Sequence, residues 1–556
     1  MNGKRGAFRR PAIIEPLRDN PVYRGIWTAS LLSNFGQLIQ GVGAAWEMTR
    51  LASSAEMVAL VQTAIMLPMM LISLPAGAIA DMFDRRKVAL TGLGFACFSA
   101  AMLTALTWAG LLTPWTLLGF CFLIGAGVAL YIPAWQASIS EQVRPEHLPS
   151  AIALGSISYN VARSFGPAIG GVIVATIGAV AAFAANALFY IPLMWAFFRW
   201  KSVRAPSRLP PERIGRAITS GLRYAFHSPP IRVVLMRTLA VGLAGSSISA
   251  LTPLVARDLL GGDANTYGLL LGCYGVGAVI GAFGIGHVRS RFVPERAARL
   301  LSLASGLLIA VIGMSTGTVL TCAAMVVAGA SWMLLVAMLN VSVQLSAPRW
   351  VTARTLSCFT CAVTGGLAFG AWIWGATAGH LGTSHALIIS GVAFALTPLL
   401  GIGHPLPTVT RAEEEPQEIL ADPDVNLALT QRSGPIVIEI DYRVDPARAR
   451  EFYAVMQTIR GQRLRSGGFQ WSLSRDITDP ELWTEHYYCP TWGDYLRQRS
   501  RATQSDRDMQ AMAEAFHTGS RTGRIRRRLE RPFGSVRWRP DTPDPQQEET
   551  VRIYTP

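Results

Sequence analysis

Charge is what this 556-residue chain has little of: 15% of its residues are Asp, Glu, Lys or Arg, while 51% are hydrophobic. Soluble domains carry about 25% charged residues, so a chain this apolar needs lipid as its solvent. Metal-ligand patterns are also missing. Of seven cysteines, Cys97, Cys121, Cys273, Cys322, Cys358 and Cys361 lie in or beside apolar runs, with Cys489 apart. They read as small packing residues, and the Cys358/Cys361 CxxC pair, set in an apolar run, is not read as a redox or zinc site. No GxxxxGK[ST] loop occurs, so ATP-driven work would need a partner. No short apolar core with a cleavage site follows the basic, proline-containing first 20 residues, so no cleavable leader is expected. No catalytic residues, metal site or cofactor are expected.

Acidic residues are scarce only in part of the chain. Through residue 410 there are 28 Lys+Arg against 12 Asp+Glu, a balance of +16; beyond it there are 22 against 23, a balance of −1. The basic excess lies between hydrophobic runs, where it reports membrane topology. Nucleic acid is therefore not an expected partner. Twelve apolar runs of spanning length are predicted, at 25–47, 56–80, 88–110, 114–136, 151–176, 179–198, 233–256, 265–287, 299–317, 320–344, 354–379 and 385–403. With residues 1–24 on the cytoplasmic side, 24 of the 28 basic residues fall on that side. Arg50 and Arg257 lie opposite, and Arg163 and Arg237 lie within helices. The expectation is a multi-pass protein of the cell inner (plasma) membrane, both termini cytoplasmic.

The fold class expected is an all-α membrane bundle with a small α+β domain behind it. Residues 25–198 and 233–403 form two six-helix halves, joined by the basic linker 199–232. Within that linker, Arg213 to Phe226 is an amphipathic helix on the inner membrane surface or a solvated connection. Residues 404–434 form a second linker. A domain at 435–539 reads as βαββαβ, with strands at 435–443, 469–476, 482–489 and 533–538 and a helix over 446–465, the order of a ferredoxin-like sandwich. The tail 540–556 is expected to be disordered.

Between runs two and three stands Gly77-Ala-Ile-Ala-Asp81-Met-Phe-Asp84-Arg85-Arg86-Lys87. A carboxylate at the end of a membrane helix must find a partner. The stretch resembles the GxxxDRxGRR loop of the major facilitator superfamily, which implies a conformational latch made by Gly77, Asp81, Arg85 and Arg86. Met82 and Asp84 depart from that pattern. Gly284-Ile-Gly286-His287-Val-Arg289-Ser-Arg291 looks like a degraded second copy. In run five, Gly166, Pro167, Gly170 and Gly171 break an apolar helix, which tight packing alone explains. The same stretch resembles the GPxxGG antiporter motif of facilitator exporters. Arg24-Gly-Ile-Trp27, Thr49 to Ala55 and Val143-Arg144-Pro-Glu146-His-Leu148 extend the likeness over most of residues 20–400. They resemble the branch holding the enterobactin exporter, macrolide efflux proteins and transmembrane secretion effectors. The resemblance implies secondary active export of a small organic molecule, a siderophore, drug or other metabolite, with protons as the coupling ion.

A charge in hydrocarbon is costly, so Arg163 is expected to face a cavity. Glu47 is the chosen proton site, its alternative being an interfacial residue beside Trp46 and Arg50. A Glu47–Arg163 pair requires matching depths. Asn34, Gln37, Gln40, Asn160, Asn340 and Gln344 either line an aqueous path or bond between helices. The last domain, through Trp483-Thr-Glu485-His486-Tyr-Tyr and Trp492-Gly-Asp494-Tyr-Leu496, resembles the antibiotic-biosynthesis-monooxygenase type of dimeric α+β barrel. That implies a regulatory, ligand-sensing or dimerising module, with homodimerisation through it. His486 reads either as a ligand contact or as a core histidine. The alternative function is a membrane-tethered enzyme or ligand sensor acting through this domain.

Overall fold

The computed structural model describes residues 15–201, 214–348, 351–407, 425–427, 429–500, 503–519 and 524–530. The expected tail at 540–556, the N-terminal segment through residue 14 and parts of both linkers lie outside these. Two compact units divide the chain. The first holds Met1–Ile218, Val233–Ser342 and Leu356–Leu406; the second holds Thr219–Arg232, Val343–Thr355 and Pro407–Pro556.

The first unit is helical, and its run of helices includes segments 219–232 and 343–355 that belong to the second. A short turn, α1 (Glu15–Asp19), precedes α2 (Pro21–Leu51), α3 (Ala55–Met82), α4 (Arg85–Trp108), α5 (Pro114–Gln142), α6 (Leu148–Thr176) and α7 (Ala179–Arg199). After α8 (Ile214–His227) come α9 (Pro229–Leu254), α10 (Ala264–Arg291), α11 (Pro294–Met314), α12 (Thr318–Leu345), α13 (Thr352–Leu381), α14 (Thr383–Leu396) and the short α15 (Leu400–Gly403). Their starts are written locally. Asn20 accepts from the Val22 and Tyr23 amides before Pro21, Thr113 makes a capping box before Pro114, and Asp263 caps α10. Each satisfies amides that a helix end leaves free. Asp263 is held below the usual carboxylate range, chiefly by the Thr266 amide.

Among the described residues ten helices are long and apolar enough to cross a membrane. The two further long helices are α2 and α6, of 31 and 29 residues. They carry Asn34, Gln37, Gln40 and Glu47, and Asn160 and Arg163, whose polarity lowers their hydropathy.

Packing repeats along the chain. In the first half α2 packs on α6 and α7, α3 on α5, and α4 on α5 and α7. In the second, α9 meets α13 at Gly242/Gly366, α10 meets α12 at Gly281/Ala330, and α11 meets α14 at Gly306/Gly391. These are the corresponding pairs six helices later, as internal repeats require. Between halves, α6 packs on α10. Its repeat-related counterpart, α3 on α13, runs from Ala59/Gly375 through Met70/Gly365 to Gly77/Ser357.

The second unit contains a four-stranded antiparallel sheet in the order β2-β3-β1-β4. Its strands are β1 (Ile436–Arg443), β2 (Phe469–Arg475), β3 (Leu482–Cys489) and β4 (Ile525–Leu529). Helix α16 (Ala449–Arg465) follows β1, and α17 (Trp492–Ser500) and α18 (Gln504–Glu514) follow β3. The expected helix thus begins at Ala449, after a 3-10 turn at Pro446–Arg448. The closing strand is a correction: it lies at 525–529, and the expected 533–538 falls outside the described residues. Three consecutive arginines hide β4 from a hydrophobic pattern. Arg526 and Arg528 pair with Glu439, and Arg526 also with Asp441 at 2.6 Å, so charge closes a sheet edge.

One sheet face buries Ile438, Ile440 and Tyr442 against Phe452, Met456 and Ile459 of α16. Glu485 is also there, wholly buried. It accepts from Arg463 Nε at 2.9 Å, Arg463 Nη2 at 3.2 Å and Trp471 Nε1 at 3.0 Å. Burial lowers the Arg463 pKa, but the Glu485 charge overrides this and holds it well above its usual range. Removing one partner leaves the other charge buried alone. Glu485→Ala should therefore cost about 3–5 kcal/mol, read as faster hydrogen exchange of β1 and β3 in the full chain; unchanged protection contradicts this.

Candidate functional site

The turn between α3 and α4 is organised by Asp84, one of the two residues that depart from the facilitator pattern. Its carboxylate accepts from the Arg86 amide at 2.9 Å and the Lys87 amide at 3.4 Å, capping α4. This fixes the two arginines in the first turn of α4. Arg85 Nη1 donates to the Ala137 carbonyl at 2.6 Å and pairs with Glu141 at 3.0 Å, both on α5. Arg86 Nη2 donates to the Phe198 carbonyl at the end of α7 and stacks 5.5 Å over the Phe198 ring. Gly77 faces Ser357 of α13, where an added Cβ would stand 3.6 Å from Oγ, an ordinary contact. The Asp81 side chain lies outside the described residues.

The second copy differs. Gly286, His287, Arg289 and Arg291 are exposed on the last turns of α10. Order at that end comes instead from Glu295, in the first turn of α11. It binds Arg237 through two bonds of 2.7 and 2.9 Å, Arg299 at 2.8 Å and the Leu406 amide at 3.0 Å. Arg237 is thereby neutralised within α9. Arg299 also reaches the Gly401 carbonyl at 3.4 Å, as Arg86 reaches Phe198 in the first half.

Helix α6 carries three distinct faces. Val161, Phe165, Ile169 and Val172 are exposed and form an apolar outer stripe. On a second face Gly166 and Gly170 lie against α2, with added Cβ atoms 3.0 Å from Leu38 Cβ and 3.1 Å from Ile39 Cα. On a third, Gly171 lies against α10, where a Cβ would be 2.7 Å from the Ala264 carbonyl and 2.8 Å from Gly268 Cα. Further along, Gly275 would meet the Arg163 carbonyl at 2.5 Å. The four residues Gly166, Pro167, Gly170 and Gly171 therefore form a junction of α2, α6 and α10. Cys361, half of the CxxC pair, lies in the other seam, 2.9 Å from Ser73 Oγ and 3.2 Å from the Met70 carbonyl.

The bundle end remote from Pro21 is closed. Trp46 stacks on Tyr267 with centroids 6.2 Å apart. Arg257 Nη1 donates to the Thr49 carbonyl at 3.1 Å and pairs with Asp258 at 2.6 Å. Glu47 is at this end, nine-tenths buried and paired with Arg50 at 3.2 Å.

Arg163 sits elsewhere. Two residues from Val161 and Phe165, it is turned about 160° from the outer stripe, toward the bundle interior. Contacts of Gly166 with Phe35 and Leu38 put Arg163 level with the middle of α2. Glu47 lies about 18 Å further along at 1.5 Å per residue. The depths do not match, and the two residues do not pair. The Arg163 guanidinium stands 5.7 Å from the Tyr274 ring centroid on α10, with no carboxylate within ion-pair distance among the described residues. Such a stack is worth about 0.5–2 kcal/mol, and a cation at mid-membrane costs about 2.5–3.5 kcal/mol on insertion scales. The stack and the hydrogen bond to the Tyr274 side chain offset part of that cost.

The polar residues separate by role. Asn34 Nδ2 donates to Ser158 Oγ at 3.2 Å, and Gln40 accepts from the buried Asn186 amide on α7. These are bonds between helices. Asn160 turns back to the Ser156 carbonyl of its own helix at 2.8 Å. Gln37 and Asn340 are half-buried, and Gln344 is exposed at the end of α12. In the second unit His486 is half-buried, on the opposite sheet face from Glu485, with its ring 5.0 Å from that of Tyr488.

Glu141, Glu295, Tyr274 and Gly268 escape a linear reading. A carboxylate one turn from an arginine-bearing loop, as Glu141 and Glu295 both are, is the signal that finds the first two. Gly171→Leu is expected to destabilise the purified chain by about 1–3 kcal/mol, the usual cost of overpacking. Gly155→Leu on the same helix, where an added Cβ meets nothing within 4 Å, should leave thermal unfolding unchanged. Equal stability of the two variants contradicts the tight junction.

Residues 12–533 match the family model described as transmembrane secretion effector. The chain is 25% identical over 260 residues to the staphyloferrin A transporter of Staphylococcus aureus (strain NCTC 8325 / PS 47), covering 46% of this chain and 64% of that one. It is 26% identical over 385 residues to the multidrug efflux pump Tap of Mycolicibacterium fortuitum, covering 67% and 92%. Among solved structures, an auto-inhibited POT family peptide transporter aligns with a TM-score of 0.58 at 12% identity, over 69% of this chain and 96% of that one. A bacterial homologue of the human lysosomal transporter Spinster aligns at 0.53 and 14%, over 70% and 96%. Identities this low speak to fold alone. The chain is a multi-pass membrane protein and belongs to the transmembrane secretion effector family of major-facilitator-type transporters.

Proposed function

We propose that the protein is a secondary transporter that exports a small organic molecule carrying negative charge, by alternating access coupled to proton entry. Helices α2 and α6 complete twelve spans as the first and fifth, beside the ten apolar helices, with both termini cytoplasmic in the inner membrane. The chief support for this reading is Arg163. A cation on the inner face of α6, at mid-bundle depth beside the Tyr274 side chain and without a carboxylate in ion-pair distance among the described residues, favours an anionic cargo. The likeness to the Mycolicibacterium multidrug efflux pump supports the outward direction.

In this mechanism the cytoplasmic ends are latched by Arg85 and Glu141 in one half and by Arg237 and Glu295 in the other. Asp81 belongs to the same latch by resemblance. The remote end, closed by Trp46, Tyr267 and Arg257, opens when the halves rock about the α6–α10 and α3–α13 seams. Glu47, buried and paired with Arg50 at that end, is the proposed proton-carrying carboxylate. The soluble domain is proposed as a ferredoxin-like, regulatory module of the dimeric-barrel type that pairs through its open sheet face.

Inside-out vesicles or proteoliposomes test this with carboxylate siderophores, staphyloferrin A among them, and neutral drugs. Uptake into inside-out vesicles is expected for the anionic compounds and should collapse with the pH gradient; flux indifferent to the gradient contradicts proton coupling. Arg163→Gln should lower anionic flux by about 10- to 150-fold, the equivalent of a charge-assisted hydrogen bond of about 1.5–3 kcal/mol. Unchanged flux contradicts the anionic substrate class.

A further inference from the structure

We propose that the C-terminal domain is a receptor for helix α8, the segment joining the two halves of the bundle, and that this seat restrains their relative movement. The sequence alone leaves α8 at a membrane surface or in solvent. In the structure its second half has another partner. Tyr224, Ala225 and Ser228 are buried to 2%, 0% and 2% exposure, while Phe226 and His227 on the other side are exposed.

The domain meets this face with charge, an aromatic-stacking cation and a glycine gap. Arg465, at the end of α16, holds its guanidinium 5.2 Å over the Tyr224 ring while its Nη2 pairs with Asp506 at 2.6 Å. The Arg223 guanidinium lies against Gly467, where an added Cβ would stand 2.9 Å from Nη2. Gly467 has φ of +111°, so its backbone also disfavours a side chain. Burial lowers the Arg223 pKa, and the charge of Asp494 in α17 works against that loss. A basic helix that turns the Tyr224 ring inward and leaves Phe226 exposed therefore fits a surface offering a carboxylate, a cation for the ring and an opening for the guanidinium.

A second contact on the same face of α8, at Gly221 three residues before Tyr224, gives the seat its consequence. An added Cβ at Gly221 would be 2.8 Å from Arg354 Cβ, so α8 touches the first turn of α13. Further along, α13 forms the seam with α3 through Met70, Ser73, Cys361 and Gly365. Helix α13 thus continues in the chain from its α8 contact to the residues that meet α3. Rocking at that boundary displaces Arg354 against α8, and the domain's grip on α8 resists it. A contact made in one arrangement and strained in another biases the equilibrium between them.

The test uses the full chain in lipid nanodiscs and needs no substrate. Tyr224→Ala and Arg223→Ala should each speed deuterium uptake of residues 219–228 at least tenfold, while Tyr224→Phe, which keeps the ring, stays at the wild-type rate. In a background with the seven native cysteines replaced by serine, a reporter is placed by Ala264→Cys, a position 2% exposed beside Gly171. Its maleimide labelling should accelerate at least threefold when Tyr224→Ala or Arg223→Ala is added. Retained protection in those variants overturns the seat, and lost protection with unchanged labelling overturns the restraint.

Discussion

Two helix backbones can come together in hydrocarbon only where no side chain keeps them apart. Lipid tails are as apolar as leucine, so burial supplies little drive for one membrane helix to join another, and close packing must do it. Here that constraint falls on the crossing of α6 and α10, where Gly171 faces Gly268 and Gly275 faces the Arg163 carbonyl. The same device recurs within each half, at Gly92 against Gly127 and at Gly306 against Gly391. Glycine is thus placed where surfaces must meet and, at the seams, slide.

The second constraint is charge, and it is met alike in lipid and in water. Arg237 and Glu295 neutralise each other inside the bundle, and Arg463 and Glu485 do so inside the soluble domain. Each pair is held by further donors, because a buried pair repays its desolvation only with full hydrogen bonding. Arg163 breaks the pattern, and the functional proposal is built on that exception.

The helices were legible in the sequence because lipid demands long apolar runs, and their ends because proline and capping residues announce them. The basic turn at Arg85 and Arg86 and the glycine stretch at 166–171 were legible too, since both break an apolar pattern. What they touch was not. Glu141 lies 56 residues from Arg85, and Tyr274 lies 111 residues from Arg163. Nothing in the order of the chain sets those depths until the helices pack. For the same reason the sequence leaves a Glu47–Arg163 pair open: contacts of α2 with α6 set the two residues at different heights along the bundle. The strand at 525–529 was missed because its arginines face acidic partners on β1, and apolar alternation carries no trace of such pairing. The α8 contact was hidden likewise, since an amphipathic helix does not say whether lipid or protein covers its face.

Alternating access in this protein requires relative movement of the halves at the α6–α10 crossing. An added Cβ at Gly272 would lie 3.3 Å from Ala168 Cβ across it, close to the spacing of about 3.5–4.5 Å that a disulfide needs. Cysteines at these two positions, in a chain without its native cysteines, should oxidise to a cross-link that stops flux in proteoliposomes, with flux restored on reduction. A cross-linked protein that transports at the rate of its reduced form would contradict it.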